Sequence, residues 1–273
     1  MNKFKKLLIL FILVSSFPGF TQVDTLSKNK KDEIIISISG GISVPMGEIS
    51  SEVMQEYSGN VISGVPKIGF AGKIDAMYLF SKIRFGAKIS FISSINKSCS
   101  ESEGYRYRAP GTALGGGKSV YTYTYESKNW YFNWMMLGPI VEPIHSSKIF
   151  VQFWVTAGVL QAICPETQLV QDGAFWDISG RRDPFIETVT QPKMISRTFA
   201  LNTGTDISFK LIRKMSVFLS VDFLTSDAIF KGTITDYYVG NPSYNLNNYD
   251  YSISMTKRIY MLECTLGIKY CIN

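Results

Sequence analysis

Few side chains in this 273-residue chain could do chemistry. The single histidine, His145, lies in a short polar turn, and a catalytic or metal site needs convergent partners. A lone turn histidine is read as a solvated side chain. Asp172, Asp177 and Asp183 share one long connection, where a Ser-His-acid hydrolase would also need a histidine nearby. Gly117-Lys118-Ser119 faintly echoes a phosphate loop. The leading glycine of that motif would fall at residue 112, which is Thr112, and no strand-to-helix context surrounds it. The expectation is therefore no catalytic residue, no metal and no cofactor.

Four cysteines invite the question of disulfides. Cys264 and Cys271 sit seven apart on one alternating segment, about 23 Å at the strand rise, and cannot bridge each other. Cys99 and Cys164 each lie just beyond the same end of a strand, which makes them the candidate disulfide pair. Otherwise Cys264 reads as a small apolar surface residue and Cys271 as a free thiol.

The elements that position these residues are alternating strands. Residues 68–95 form a hairpin about a tight turn at Ser81–Lys82. Phe70, Ile74, Ala76, Tyr78 and Phe80 share one face of its first strand, opposite Lys73, Asp75 and Met77. Ile83, Phe85, Ala87, Ile89 and Phe91 do so in the second, opposite Arg84, Lys88 and Ser90. This is the period of two expected when successive side chains point to opposite sides. The same pattern marks strands over 34–44, 130–141, 149–162, 198–211, 215–223 and 260–270. In 130–141 the large side chains Trp130, Phe132, Trp134 and Met136 share a face, read as part of the outer apolar surface.

Connections alternate in length. Three tight turns, at Ser81–Lys82, around His145–Lys148 and at Arg213–Lys214, lie at the end that also holds both termini. Four long connections, 45–67, 96–128, 164–197 and 225–256, lie at the other. An outer-membrane barrel with an even strand number has short periplasmic turns and long extracellular loops. The expected fold is thus all-β, an eight-stranded antiparallel up-and-down transmembrane β-barrel.

The charges sort by face. Lys73, Asp75, Arg84, Lys88, Asp206, Lys210, Asp222, Glu263 and Lys269 all fall opposite the continuous apolar face, and form the expected lumen charge network. A Lys or Arg facing lipid at mid-membrane costs roughly 2–4 kcal/mol, whereas in the lumen it can meet opposite charge. An eight-stranded barrel is filled by its own side chains, so no conducting pore is expected. Glu142 departs from the sorting, and a bulge or headgroup position between Pro139 and Pro143 would accommodate it.

Composition agrees. Charged residues make up 18% of the chain, below the roughly one quarter of soluble proteins, aromatics 14%, and mean hydropathy is +0.07. Lys3, Lys5 and Lys6 precede an apolar run and a small-residue stretch near residues 19–21, the pattern of a cleaved secretory signal peptide. The run is too short for a permanent transmembrane helix, which needs about 20 apolar residues. Expected boundaries are signal peptide 1–21, flexible lead-in 22–33 and barrel 34–273. Residues 22–273 hold 25 basic and 22 acidic side chains, scattered, which gives no support to a nucleic-acid partner.

Aromatic residues fall near strand ends, where Tyr78, Phe80, Trp130, Trp134, Tyr260 and Tyr270 would form girdles at the headgroup level. Tyr121, Tyr123 and Tyr125 alternate with threonine and would extend the fourth strand above the membrane. Together with Tyr237 and Tyr238 they are also the candidate surface-binding residues, since tyrosine joins apolar area to a hydrogen-bonding tip.

Short motifs resemble one family. Gly40–Ile49, GGISVPMGEI, is similar to the first strand and Gly/Pro turn of the PorT-like outer membrane β-barrel domain, and 69–80, 137–139 and the closing LGIKY of 266–270 follow its pattern. The chain departs from it by ending Tyr-Cys-Ile-Asn instead of on an aromatic residue. The resemblance implies an eight-stranded outer-membrane barrel with no catalytic residues to carry over. Partners expected from this reading are outer-membrane lipid, the barrel assembly machinery and a surface partner bound through the loops for adhesion or envelope organisation. The alternatives are a small lipid-modifying or proteolytic barrel enzyme, a passive pore, and a soluble periplasmic lipocalin-like barrel with its apolar face inward.

Overall fold

The computed structural model describes residues 32–50, 66–81, 83–98, 104–108, 118–176, 182–240 and 249–272. These residues form twelve strands: β1 (Glu33–Met46), β2 (Pro66–Leu79), β3 (Phe85–Ser98), β4 (Gly104–Arg108), β5 (Lys118–Ser127), β6 (Trp130–His145), β7 (Ile149–Cys164), β8 (Thr167–Trp176), β9 (Arg182–Gln191), β10 (Met194–Ile212), β11 (Met215–Gly240) and β12 (Tyr249–Cys271). A short 3-10 turn, Gly47–Ser50, follows β1.

Eight strands close a ring in the order β10-β7-β6-β3-β2-β1-β12-β11, sealed by β10 against β11, and every pairing is antiparallel. Closure leaves this ring no unpaired edge. Its stagger can be read from the ladders. Starting at Ala200, opposite neighbours run through Gly158, Met136, Ser90, Asp75, Ser37, Lys269 and Ser216 and return to β10 at Lys210, ten residues below the start. Ten residues at about 3.3 Å, set against eight interstrand steps of about 4.8 Å, tilt the strands by about 40° from the barrel axis.

The outer face is apolar. Ile36, Ile38, Phe70, Ile74, Phe91, Phe153, Val159, Phe199, Phe209, Leu219 and Leu266 are all exposed, while Lys73, Asp75, Lys88, Asp206, Asp222, Glu263 and Lys269 are enclosed. Along β12 the outward positions from Tyr260 to Tyr270 are separated by ten residue rises. At the strand rise and this tilt they span about 25 Å along the axis, the height of the apolar band of a membrane barrel.

The three tight turns are present, with Arg84 in the left-handed region (φ 49°) at the first. The opposite end departs from the expected irregular loops. β5 and β8 continue the β6–β7 ladder, and β8 and β9 continue the β7–β10 ladder, without change of register. β11 runs unbroken for 26 residues and pairs with both β9 and the upper part of β12. One wall of the barrel thus extends as a sheet, β4-β5-β8-β9-β11-β12. Its three strand breaks, at 128–129, 165–166 and 192–193, lie opposite one another. Pro165 and Pro192 have no N–H to give the ladder, which accounts for two of them.

β6 corrects the expected sidedness. Trp130, Phe132, Trp134 and Met136 point into the barrel, and Tyr131, Met135 and Leu137 face outward. Trp130 and Trp134 are therefore not girdle residues; Tyr78, Phe80 and Tyr270 are exposed near the opposite rim, as a girdle requires. Glu142 shares the inward parity of Trp134 and Met136 and is buried, so it is no exception to the sorting of charge.

Candidate functional site: a filled interior and an extended sheet

The interior has two layers. The layer toward the extended sheet is apolar. Trp130 stacks on Phe132 at 5.8 Å between centroids and meets Phe230 edge-on. Trp134, Met136, Leu160, Leu224 and Met261 fill the rest of that layer. These side chains lie inside because β6, β7, β11 and β12 present apolar side chains on their inward parity above the level of Asp222.

The layer toward the termini is ionic. Asp222 on β11 is its hub. Its carboxylate accepts from Lys73 Nζ, from Trp154 Nε1 at 3.1 Å, from Asn202 Nδ2 at 3.0 Å and from Ser220 Oγ at 3.0 Å. Lys88 pairs with Asp75 at 3.1 Å and stands 3.4 Å from the centroid of the Trp154 ring, a cation over an aromatic face. Lys269 binds Asp206 at 2.7 Å and donates to Gln152 at 2.7 Å and Ser208 at 2.9 Å. Gln152 in turn donates to Glu142 at 2.7 Å. Gly204 makes room for Trp154: a Cβ there would lie 2.5 Å from the indole Cζ2.

At the mouth near the termini Arg84 pairs with Glu142 and with Glu33 at 3.1 Å, and His145 Nδ1 lies against Glu142 and Arg84. Beside it Tyr78 Oη donates to Asp32 at 2.6 Å and the Ser81 amide does so at 3.1 Å. These two donors hold the Asp32 carboxyl below its ordinary range.

Seven of the nine expected lumen residues are thus enclosed. Arg84 stays at the rim, in the turn, where its guanidinium closes the mouth. Lys210 is exposed and is corrected: the ten-residue stagger carries it to the lower edge of β10, where the ladder to β11 also shifts register. Glu263 is fully buried, opposite Asp222 on one side and Ser43 on the other, and forms no ion pair among the described residues. Trp154, Gln152 and Asn202 are interior residues that sequence reasoning does not single out. Trp154 and Gln152 alternate with Val151, Phe153 and Val155, so their inward parity is available from the pattern.

Cys164 is a buried free thiol with Sγ 3.3 Å from Gln191 Nε2. Cys99 lies outside the described residues, and the expected Cys99–Cys164 pairing with it. Tyr121, Tyr123 and Tyr125 lie on β5, in the extended sheet. Tyr237 and Tyr238 lie near the end of β11. Tyr237 is exposed on the same face as Ile186 and Val239, which stand opposite each other on β9 and β11. Asp172 lies on β8, Asp183 on β9 and Asp177 outside the described residues. His145 sits at the other end of the barrel from Asp172 and Asp183, so these two acids and the histidine form no common site.

No family model matches the chain, and neither does any curated protein. Among solved structures it is similar to Ail, the attachment invasion locus protein of Yersinia pestis, at 12% identity and a TM-score of 0.40, over 89% of this chain and 100% of that one. It is also similar to Neisserial surface protein A, at 9% identity and a TM-score of 0.42, over 88% and 99%. A major outer membrane protein from Thermus thermophilus gives 12% identity and a TM-score of 0.41, over 89% and 100%. At such low similarity the eight-stranded assignment rests on the closed register described above.

Proposed function

We propose that this chain is a non-enzymatic outer-membrane β-barrel that presents its extended sheet at the cell surface as a binding or adhesion platform. The observation that carries this reading is the sidedness of the ring: a largely apolar exterior about 25 Å tall around a closed, filled interior that holds the charges. A soluble protein rarely leaves so large a contiguous apolar surface uncovered. With greasy residues outside and charges within, the arrangement is the reverse of a soluble lipocalin-like barrel. The filled interior argues against a passive pore.

The short-turn end, with both described termini, is placed in the periplasm, and the sheet at the cell surface. Export through a signal peptide over 1–21, insertion by the barrel assembly machinery and a surrounding shell of outer-membrane lipid complete the reading. The motifs GGISVPMGEI and LGIKY favour a place among PorT-like barrels. The exposed Ile186, Tyr237 and Val239 supply the apolar and hydrogen-bonding groups of a binding patch.

Fractionation combined with proteolysis of intact cells tests this reading. The full-length chain should pellet with outer membranes and be cut from outside within the long connections 45–67, 96–128, 164–197 or 225–256, leaving barrel fragments. Recovery in the soluble periplasmic fraction, or protection of all four connections, would contradict it.

A further inference from the structure

The outward face of β10–β12 changes character where the apolar belt ends. Leu201, Thr225 and Tyr260 stand opposite one another across the three strands. Further along the strands, away from the membrane-spanning part, come Arg197 on β10, Lys231 on β11 and Arg258 on β12, all exposed. Ser196 Oγ accepts from the Ile229 amide at 2.9 Å and Thr198 Oγ1 donates to the Asp227 carbonyl at 2.8 Å, so β10 and β11 remain in contact at this level. Arg258 shares its charge with Asp227 at 2.9 Å. Arg197 and Lys231 have no carboxylate in contact among the described residues. Between these cations stand Ile195, Phe199 and Ile229, each at least half exposed.

We propose that Arg197, Lys231 and Arg258 form a binding site for the phosphate of a lipid headgroup in the surrounding outer leaflet. The inference rests on the membrane reading above and adds a lipid class to it. Guanidinium groups offer a planar fork that pairs bidentately with phosphate oxygens, and the lysine adds a mobile point charge. Long basic side chains at the edge of an apolar belt lay their stems on that belt and hold their heads at the phosphate level. The interleaved Ile195, Phe199 and Ile229 favour a lipid over free phosphate, because an inorganic anion would leave these three side chains in water. A phospholipid or glycolipid covers them with the first carbons of its acyl chains.

Native mass spectrometry of the purified full chain in detergent, with diphosphoryl lipid A or phosphatidylethanolamine added, reads this directly. Wild type should retain lipid A preferentially, and R197Q/K231Q should lower that retention about tenfold, the loss of one or two charge-assisted bonds. K148Q/K210Q, at the opposite rim, should leave it unchanged. Equal retention by R197Q/K231Q and wild type would overturn the proposal, as would displacement of lipid A by excess inorganic phosphate. Insertion of wild type into phosphatidylcholine vesicles, scored by heat-modifiable migration and protease protection, is measured alongside. Failure to insert would sink the membrane reading; insertion without lipid A preference would sink only the lipid site.

Discussion

Asp222 and Glu263 are opposite neighbours on β11 and β12, both fully buried, yet the interior uses them differently. Asp222 neutralises Lys73 and orients Trp154, Asn202 and Ser220. Asp222→Ala leaves the buried Lys73 ammonium without its nearer counter-ion, Asp75 standing at 4.0 Å, and should cost about 3–5 kcal/mol in urea unfolding of the vesicle-inserted protein. Replacing both partners, Lys73→Met with Asp222→Leu, should recover only part of that loss, because Trp154, Asn202 and Ser220 still lose their acceptor. Glu263 forms no ion pair among the described residues, and glutamine keeps its shape beside Asp222. Glu263→Gln should therefore unfold at the same urea concentration as wild type or higher, and a loss of the Asp222→Ala size would show that Glu263 holds something unseen. At the rim, the Asp32 carboxyl is held low by Tyr78 and the Ser81 amide, so its contribution is present above the ordinary value of 3.8 and is lost as pH falls through the lowered one. The Ser81 amide shift should titrate with a midpoint below 3.8 and should stop titrating there in Asp32→Asn.

At the level of strands, two glycines separate packing from mere conformation. Gly204→Ala drives a methyl into the Trp154 indole, and should cost about 1–3 kcal/mol and shift the emission of Trp154. Gly72→Ala meets nothing within 4 Å and should stay within about 0.5 kcal/mol of wild type. Most strands are legible in the sequence because one face of each is apolar and the other carries a charge. β6 misleads because its inward face carries Trp130, Phe132, Trp134 and Met136. Hydrophobicity alone cannot distinguish a side chain facing lipid from one facing an apolar plug. Glu142 holds the correct answer, since a lone carboxylate on that parity belongs inside, opposite Arg84. The extended sheet is less legible, because β8, β9 and the upper part of β11 alternate polar with small or β-branched residues on both faces. Lys210 shows the limit of parity alone, which ignores the stagger that carries it to the rim.

For the molecule as a whole, the closed register, the belt height and the two-layer interior fit the proposed arrangement: apolar side chains outward and charges in a filled core. A core filled by Trp130, Trp134, Trp154 and the lysine–carboxylate pairs should pass no ions, and stable conductance steps in planar bilayers would contradict it. The most direct test of sidedness is a spin-label scan along β7 in reconstituted vesicles, with the native cysteines replaced. Labels at 153, 155 and 159 should collide with oxygen and escape aqueous nickel chelate, while labels at 152, 154 and 156 should be shielded from both. Nickel accessibility at 153, 155 and 159 would place the greasy face in water and contradict membrane residence.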